Sequence, residues 1–473
     1  MGQGRRVRET PLTLATALHD ARMPQHDITA ALASPLAKTV LGVIGLLLVL
    51  VLLREVRRIP KALLVLMASA FLDMVGLLMI VPLLPFYVKN LTGDGVQVFG
   101  TVLGIGVLSG IVVSTFTAAQ LVSSPLWGRF SDRHGRRPAL VIALFASAVA
   151  YLVFGFADSL WLLILSRLVQ GAGGGTVGVI QAYVADTMAP DQRARALGWL
   201  SAATNLGVAL GPVVGSYALD LGTIDLMPGE SAVRMGSAAP GVIAALLCLI
   251  NMGFAARYLK ESNAETAKSD RPRTSARGAM LDVVARISLP SSRLILIYAI
   301  AIGAFQGITA VLALFLNARF QITEKTIGYF YMYIGAISVF ARVLLLGRMV
   351  DKLGEARLSR IGIVMLACGV LAVPFATGLG TLALAVAMLP LGTAFTFPCV
   401  TSLLSRVIAP QDRGLYMGLQ QTYGGIARIA APLFYGWAFD HLGIDVPFFV
   451  GALLVAVTLL LGTGLHTIPH KTK

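Results

Sequence analysis

Long apolar stretches separated by short polar turns fill most of the chain after Lys61. A helix needs about 20 mostly apolar residues to cross the hydrocarbon core of a bilayer, and twelve stretches of this kind can be counted. We expect all of them to be helices, because a segment inside lipid must satisfy its backbone hydrogen bonds internally. The predicted spans, numbered 1 to 12, have the approximate limits 62–88, 101–127, 138–157, 160–187, 195–219, 237–258, 294–317, 326–346, 358–378, 380–407, 413–438 and 445–465.

Arginine and lysine clusters are confined to alternate loops. They lie before span 1, after each even-numbered span, and in the C-terminal tail. The other loops contain only Lys89, Arg234, Arg319 and Lys325. Because cytoplasmic loops of membrane proteins are enriched in Lys and Arg, we expect the basic loops and the C-terminus to be cytoplasmic. This asymmetry predicts a multi-pass protein of the plasma (inner) membrane with an even number of spans after Lys61.

The composition agrees with this interpretation. Charged residues make up 13% of the chain and the mean hydropathy is +0.80, whereas a soluble domain carries about 25% charge. The net charge of +15 first suggests nucleic acid, but the basic residues lie in short loops between spans, so we expect no nucleic-acid partner. Six histidines and three cysteines leave little room for a metal site. No Gly-Lys pair occurs, which excludes a Walker A sequence, and we expect no cofactor.

Two halves of the chain repeat each other. The segment GRFSDRHGRR at 128–137 returns as GRMVDKLGEAR at 347–357, and APDQRARALG at 189 returns as APQDRGLYMG at 409. A parallel duplication of a six-helix unit is typical of one class of secondary transporter. We therefore divide the chain into an N-terminal leader (1–60), a six-helix bundle (61–258), a polar, basic cytoplasmic linker (259–293), and a second six-helix bundle with a short tail (294–473).

The leader contains a short apolar run at 39–53. A cleaved signal peptide is not expected, because the run begins late and is followed by LREVRR instead of a small-residue cleavage site. An interfacial segment and an extra helix both remain open, and we favour the extra helix.

Charges crowd into the loop between spans 2 and 3. Gly128 would let two helices approach closely, and Asp132 can accept hydrogen bonds from a helix N-terminus, where the dipole favours an anion. Gly135 would permit a tight reversal of the chain. The sequence from Gly128 to Arg137 matches the pattern Gly-x-x-x-Asp-Arg-x-Gly-Arg-Arg in full, and this pattern resembles the most specific motif of the major facilitator superfamily. The resemblance extends over about residues 61–465.

This resemblance implies an all-α polytopic membrane protein with two pseudo-symmetric six-helix bundles. It also implies that Asp132 and Arg133 form a charge-linked latch that stabilises the outward-open state, with Asp186 at the end of span 4 as the usual partner. Gly128, Gly135, Arg136 and Arg137 belong to the same latch motif, but for Arg136 and Arg137 setting the topology and contacting lipid are interpretations at least as good as a part in the latch.

Asp73 lies twelve residues into span 1, roughly 18 Å from Lys61 along the helix, and so near the middle of the bilayer. Ionisable groups at that depth are costly, and each is a functional candidate. Because desolvation disfavours its charged form, Asp73 is suited to bind and release a proton. The surrounding FLDMVGLLMIVPLLPFY resembles span 1 of tetracycline/proton antiporters and their relatives. The alternative is a structural Asp that bonds to a neighbouring helix.

Arg167 in span 4 lies in LSRLVQGAGGG, which resembles an Arg-x-x-x-Gly motif of proton-coupled family members. A buried guanidinium needs a partner, and Asp73 is the candidate, either for proton coupling or as a fixed ion pair. The four glycines that follow are better explained by helix packing than by ligand contact; they are Gly171, Gly173, Gly174 and Gly175.

Span 5 contains Gly207, Gly211, Pro212 and Gly215 at a spacing that resembles the antiporter motif of the family. Proline removes a backbone hydrogen bond and kinks a helix, and glycines let the bend pack. The resemblance implies a gating hinge, although Ser216 replaces the final glycine of the motif. Helix packing alone is the alternative.

Polar side chains inside other spans are candidates for a substrate cavity. Arg428 lies in GIARIAAP, which resembles span 11 of tetracycline-exporter relatives. Arg428 and Arg342 can each bind an anionic group or pair with a backbone carbonyl, and Arg342 can also snorkel to the interface. The amides Gln120, Asn205, Gln306 and Gln420 are further candidates, although hydrogen bonding between helices is the commoner role of such groups.

Together these features predict a secondary transporter that exports a small amphipathic or hydrophobic compound in exchange for protons, as a monomer in the lipid bilayer. Its two bundles would rock about a central site. A proton symporter or uniporter for a small nutrient, and a non-transporting receptor on the same scaffold, are the alternatives. An enzyme is not expected, because no Ser/His/Asp arrangement can be drawn from the six histidines.

Overall fold

The computed structural model describes residues 61–93, 95–98, 100–188, 190–221, 232–259, 261 and 276–463. The predicted extra helix at 39–53 lies outside these residues. The helices of the first half are α1 (Lys61–Ile80), α2 (Leu84–Thr92), α3 (Ile105–His134), α4 (Arg136–Gly155), α5 (Leu160–Gly173), α6 (Thr176–Thr187), α7 (Pro190–Leu221) and α8 (Ala232–Tyr258). A short 3₁₀ turn, Val81–Leu83, joins α1 to α2.

The second half is also helical. Its helices are α9 (Ala276–Ala285), α10 (Pro290–Phe320), α11 (Ile327–Phe340), α12 (Leu346–Leu353), α13 (Glu355–Ala372), α14 (Leu379–Val407), α15 (Arg413–His441) and α16 (Val446–Leu461). A π-helical turn, Ala341–Leu345, joins α11 to α12. Single 3₁₀ turns, Val373–Phe375 and Pro410–Asp412, follow α13 and precede α15.

Within the described residues, ten helical segments are long and apolar enough to cross a membrane, and they correspond to predicted spans 1 to 10. The other two predicted spans are helices as well. Span 12 is the shorter apolar helix α16. Span 11 is the 29-residue α15, which carries Arg428 and does not reach the same mean hydropathy. The chain is thus an all-α polytopic membrane protein.

The structure differs from the prediction in three places. Span 2 was expected to begin at 101, but a two-stranded antiparallel hairpin, β1 (Val96–Val98) and β2 (Thr101–Leu103), comes first. Gly100 lies at φ 81° in its turn, a conformation that glycine adopts easily. The predicted linker 259–293 contains α9 and the start of α10. Predicted span 4 is interrupted between α5 and α6.

Each half packs through extensive helix pairs. In the first half α7 packs on α1 and α8 packs on α4; in the second half α13 packs on α14 and α10 packs on α15. Two further pairs join the halves, α3 with α15 and α7 with α11. We call the side where α3 meets α4 at Gly135 the basic side, and the side where α3 begins the opposite side.

The buried apolar residues are divided unequally between these two sides. The largest cluster contains residues of both halves, such as Leu83, Val112 and Val311. Two smaller clusters lie towards the basic side, and each belongs to one half; Leu63 and Tyr183 are in one, and Leu358 is in the other. The halves therefore share a core near the opposite side and have separate cores near the basic side.

Glycine allows the closest contact between the halves. A Cβ on Gly106 of α3 would lie 2.6 Å from the carbonyl oxygen of Gly436 on α15, and a Cβ on Gly436 would overlap the Gly106 carbonyl. Gly110 faces the Pro432 carbonyl in the same way. Small residues let transmembrane helices approach to backbone contact, so this interface depends on the absence of side chains.

We expect Gly436→Ala to lower the thermal unfolding midpoint of the purified protein, because overpacking of a tight contact costs about 1–3 kcal/mol. Gly418→Ala, on the same helix but with no atom near the added methyl group, should leave the midpoint unchanged or raise it slightly, since alanine favours helix more than glycine does. Equal midpoints for the two variants would contradict the close contact.

Candidate transport site and gates

Asp73 is buried in α1, where 7% of its surface is exposed. Its carboxylate accepts a hydrogen bond of 2.7 Å from the Thr176 hydroxyl. Thr176 is the first residue of α6, so the carboxylate lies at the N-terminal end of a helix, where the helix dipole favours negative charge. The sequence placed Asp73 correctly inside a span but did not identify Thr176, which only the interruption of span 4 brings within reach.

The interruption follows from the glycine run. The Gly175 amide donates to the Gly173 carbonyl at 2.8 Å, and a Cβ on Gly175 would lie 2.5 Å from the Trp127 ring. Two side chains of α3 satisfy carbonyls near the break: Gln120 Nε2 donates to Gly174 at 3.2 Å and Trp127 Nε1 donates to Ala172 at 2.6 Å. Gln120, predicted to line a cavity, therefore bonds to the backbone of the neighbouring span.

Arg167 is 1% exposed in α5, but it does not pair with Asp73 as we predicted. Its guanidinium lies 5.0 Å from the centre of the Phe154 ring, and its Nε is 3.4 Å from the Ser166 hydroxyl. No ion pair of the described residues includes it, and its Nη2 has no hydrogen-bond partner among them.

On the basic side Arg136, not Arg133, is the centre of the charge cluster. Arg136 is 8% exposed and donates to Asp186 at 2.8 Å and to Asp132 at 2.6 Å. Gly135 has φ 99°, so the chain reverses there and the first residue of α4 points back at the end of α3. Arg133 lies before the reversal and is exposed. Arg137, which follows Arg136 in the chain, donates to the Ala256 carbonyl of α8.

The N-terminus of α4 is capped by Glu261, which we did not identify from the sequence. Its carboxylate accepts the Arg136 amide at 2.6 Å and occupies the space where a Cβ on Gly135 would lie. Asp132 was the carboxylate expected at a helix N-terminus, but Glu261 has that position at α4 and Asp132 pairs with the Arg136 side chain. We had also expected Gly128 to allow a close helix contact, but an added Cβ there would meet no atom within 4 Å.

The glycines of α7 face α1. A Cβ on Gly207 would lie 2.6 Å from the Phe71 carbonyl, one on Gly211 would lie 2.9 Å from the Val75 carbonyl, and one on Gly215 would overlap the Met79 carbonyl. These α1 residues flank Asp73 along the helix. The structure thus shows the packing that was the alternative to a hinge, and it places α7 directly against the segment that carries the buried carboxylate.

The other face of α7 contacts the second half. Ser216 Oγ donates to the Glu324 carbonyl at 3.1 Å and accepts the Gly328 amide at 3.0 Å. The Pro212 carbonyl lies against Gly328 as well. Ser216 was noted only as a departure from the family motif, yet it forms two hydrogen bonds across the interface between the halves.

More contacts between the halves lie on the opposite side. Asp440 at the end of α15 accepts the amides of Gly106 and Val107, at 2.9 and 2.8 Å, and so caps the N-terminus of α3. Lys89 Nζ is 3.2 Å from Asn317 Oδ1, and the hydroxyls of Tyr217 and Tyr329 are 2.9 Å apart. On the basic side, by contrast, the Arg136 cluster and the Glu355–Arg406 pair each stay within one half.

The predicted cavity residues fall into two groups. In the first are the amides: Asn205 donates to the Ser201 carbonyl of its own helix at 2.7 Å, and Gln420 accepts from the Thr401 hydroxyl at 3.2 Å while its Nε2 has no partner among the described residues. Gln306 lines a cavity of only about 10 Å³. In the second are the two arginines. Arg428 donates to the Tyr298 hydroxyl of α10 at 3.1 Å, and Arg342 lies in the π-helical turn, where its Nε has no hydrogen-bond partner among the described residues. A larger cavity of about 290 Å³ opens between α1, α6 and α7 and is lined by Gln181, Ser201 and Thr204 among others.

The model of the Major Facilitator Superfamily matches residues 66–432 and 294–473. The chain belongs to this superfamily. Multidrug resistance protein 2 of Bacillus subtilis (strain 168) is 26% identical over 412 residues, which are 86% of this chain and 95% of the relative. Tetracycline resistance protein class B of Escherichia coli is 25% identical over 373 residues, 78% of this chain and 86% of that protein.

The fold of this superfamily member agrees with solved structures. A bacterial homologue of the human lysosomal transporter Spinster, in an inward-facing and occupied conformation, superposes with a TM-score of 0.68 over 86% of this chain and 96% of that chain, at 13% identity. At that identity the similarity supports the fold alone. The chain is therefore a multi-pass membrane transporter of the superfamily, with relatives that are named for drug resistance.

We expect Arg136→Gln to destabilise the protein more than Arg133→Gln. Removing Arg136 leaves Asp186 without its partner, and a hydrogen bond to a charged group contributes about 1.5–3 kcal/mol. Asp132 adds little, because its side chain is 55% exposed and exposed pairs are weak. Thermal unfolding of the two variants in detergent measures the difference. A larger loss for Arg133→Gln would mean that the cluster is centred as the sequence motif first suggested.

We expect Asp440→Asn to loosen the opposite side, because the carboxylate that caps α3 across the two halves is replaced by a weaker acceptor. A single cysteine at Ala310, in a chain whose three native cysteines are replaced by serine, should then react faster with a maleimide added from that side. Asp445→Asn is the matched control, since Asp445 pairs with Arg319 inside the second half. If both variants change the labelling rate equally, Asp440 does not hold the halves together.

Proposed function

We propose that this protein is a secondary transporter that exports a small amphipathic or hydrophobic compound in exchange for protons. The observation that carries the proposal is the buried Asp73 carboxylate, held by Thr176 at the break in span 4. The drug-resistance names of the relatives support export, and the apolar surroundings of Asp73 support a role in carrying a proton across the membrane.

Protonation of Asp73 removes the negative charge that the α6 N-terminus stabilises. The Thr176 hydrogen bond weakens as well, because it is no longer made to a charged acceptor. The segment of α1 around Asp73 can then shift relative to α6. Its glycine contacts with α7 carry this shift to Ser216 and Gly328, where the two halves meet. In this way one helix, α7, connects the proton site to the contacts between the halves on the opposite side. Arg167 is a second candidate for coupling, because it is buried without a hydrogen-bond partner for its Nη2 among the described residues.

The arrangement of contacts fits one state of an alternating-access cycle. The halves share a core and several hydrogen bonds on the opposite side, whereas the basic side has separate cores. We infer that the basic side and the C-terminus face the cytoplasm, following the positive-inside rule, and that this structure is therefore an inward-facing state. Bundles at 61–258 and 294–473, connected by the linker 259–293, are the moving units, in a protein that acts as a monomer in the plasma (inner) membrane.

The latch and hinge residues acquire roles in this scheme. Arg136, Asp132 and Asp186 tie α3, α4 and α6 together on the cytoplasmic side of the first bundle, so the bundle moves there as a unit. Gly207, Gly211 and Gly215 keep α7 in contact with α1 while its far end changes partner. Pro212 removes one backbone hydrogen bond of α7, which makes this the point where the helix can bend.

The first experiment reconstitutes the protein in liposomes that contain a pH-sensitive dye and an acid-loaded interior. Lipophilic cations, antibiotics, sugars and organic acids are added one at a time. We expect efflux of protons that depends on one class of compound, and we expect Asp73→Asn to reduce it to background while the protein is still expressed and folded. Asp158→Asn, in an exposed loop, should transport like the parent.

Full proton-driven transport by Asp73→Asn would remove Asp73 from the mechanism. Substrate uptake without any proton movement in the parent would replace exchange by facilitated diffusion. Thr176→Val, which keeps the shape of the side chain and loses the hydrogen bond, should shift the pH at which transport is half-maximal without abolishing it.

A further inference from the structure

An arginine and a tyrosine from different helices form a polar pair in the second half. Arg428 of α15 donates from Nη2 to the Tyr298 hydroxyl at 3.1 Å, and the same nitrogen is 3.5 Å from Gln421 Oε1. A second arginine of this half, Arg342, is half-buried. It is carried by the π-helical turn Ala341–Leu345, and such turns inside α-helices are frequent at functional sites.

Neither arginine is balanced by a carboxylate. No ion pair between described residues includes Arg342 or Arg428. Glu355 pairs with Arg406, Asp445 pairs with Arg319, and Asp440 accepts two amides of α3. Within the described part of the chain, the Arg342 Nε is buried without a hydrogen-bond partner. A cation in a membrane-spanning bundle is costly unless it is paired, so both arginines are candidates for binding an anion.

An aromatic wall lies beside this positive charge. The Tyr298 ring makes an edge-to-face contact with Phe397 of α14, with ring centres 5.4 Å apart. A Cβ on Gly424 of α15 would lie 2.8 Å from Tyr298 Cε1, so α15 holds the ring from the other side. The next residue, Gly425, contacts Leu121 of α3, which places the cluster beside the interface between the two halves.

We propose that Arg428 and Tyr298 bind an anionic group, such as a carboxylate, on the compound that this protein transports, with the apolar part of that compound against Tyr298 and Phe397, and that Arg342 supplies further positive charge in the same bundle. A guanidinium presents its donors in a planar fork that matches a carboxylate, and the Tyr298 hydroxyl adds one more donor. The inference rests on the proposed function, since it names the substrate class of that transporter. It narrows an amphipathic compound to an amphipathic anion.

Equilibrium binding tests this site without requiring transport. The purified full-length protein in detergent is titrated by calorimetry with matched probes that differ in charge only: phenylacetate, naphthylacetate and pyrenebutyrate, each beside its primary amide and the corresponding amine. We expect at least one acid to bind, and to bind about tenfold or more tightly than its amide, because a hydrogen bond to a charged group is stronger than one to a neutral group. The amines should bind most weakly.

Variants then assign the preference to the named residues. Arg428→Gln should weaken binding of the acid by about tenfold to a hundredfold and leave binding of the amide nearly unchanged. Arg342→Gln should weaken binding of the acid by a smaller factor. Arg348→Gln is the control, because Arg348 is an exposed arginine of the adjoining helix that donates to the Leu344 carbonyl. Tyr298→Phe keeps the aromatic wall and should lose part of the preference for the acid. Arg428→Lys keeps the charge and should retain most of it.

Several outcomes would overturn the site. They are amines that bind as tightly as acids, acids that bind no better than their amides in the parent protein, or arginine variants that weaken acid and amide equally. The comparison of probes within the parent protein remains decisive even if an arginine variant does not fold. Acid binding without any proton-coupled transport would refute the export proposal and leave the anion site standing. Proton-coupled transport of neutral or cationic compounds without any preference for acids would support the export proposal and refute the anion site.

Discussion

Helices inside a bilayer gain no hydrophobic free energy by associating, because lipid tails are as apolar as their side chains. Close packing at small residues and hydrogen bonds must therefore hold the bundle together, and α7 shows how much depends on this constraint. Its glycines lie against the backbone of α1, and Pro212 and Ser216 lie against Gly328 of α11. A single helix thus contacts the segment that carries Asp73 on one face and the second half of the protein on the other.

The same absence of water makes each buried charge informative. Asp73 is held by a hydroxyl at a helix N-terminus, Arg136 by two carboxylates, and Asp440 by two amides of a helix in the other half. These charges have hydrogen-bond or ion-pair partners within the protein. Arg342 and Arg428 differ, because the described residues around them offer a hydroxyl and an amide but no carboxylate. The positive charge without a carboxylate partner marks the part of the second half where we propose that an anionic ligand binds.

Some of the site could be predicted and some could not, for reasons that particular residues make clear. Asp73 and Arg167 were found because a charge in an apolar run is visible in any sequence. Their direct pairing is not seen, because Asp73 is bonded to Thr176 of α6 and Arg167 lies against the Phe154 ring. The sequence motif pointed to Arg133 rather than to Arg136. The reversal of the chain at Gly135 decides which of these two arginines turns inward. Glu261 carried no local signal at all, and it acts only because α8 ends next to the start of α4.

The sequence by itself determined the membrane-spanning character, the membership of the superfamily, the duplication of a six-helix unit and the depth of the ionisable residues. All of these follow from local periodicity, from the cost of charge in lipid and from motifs of adjacent residues. Only the tertiary structure decided on which side the halves share a core, that Ser216 and Asp440 join the two halves, and that Arg428 reaches Tyr298. Those relations are between helices far apart in the chain, and the distances that make a hydrogen bond arise only when the helices pack.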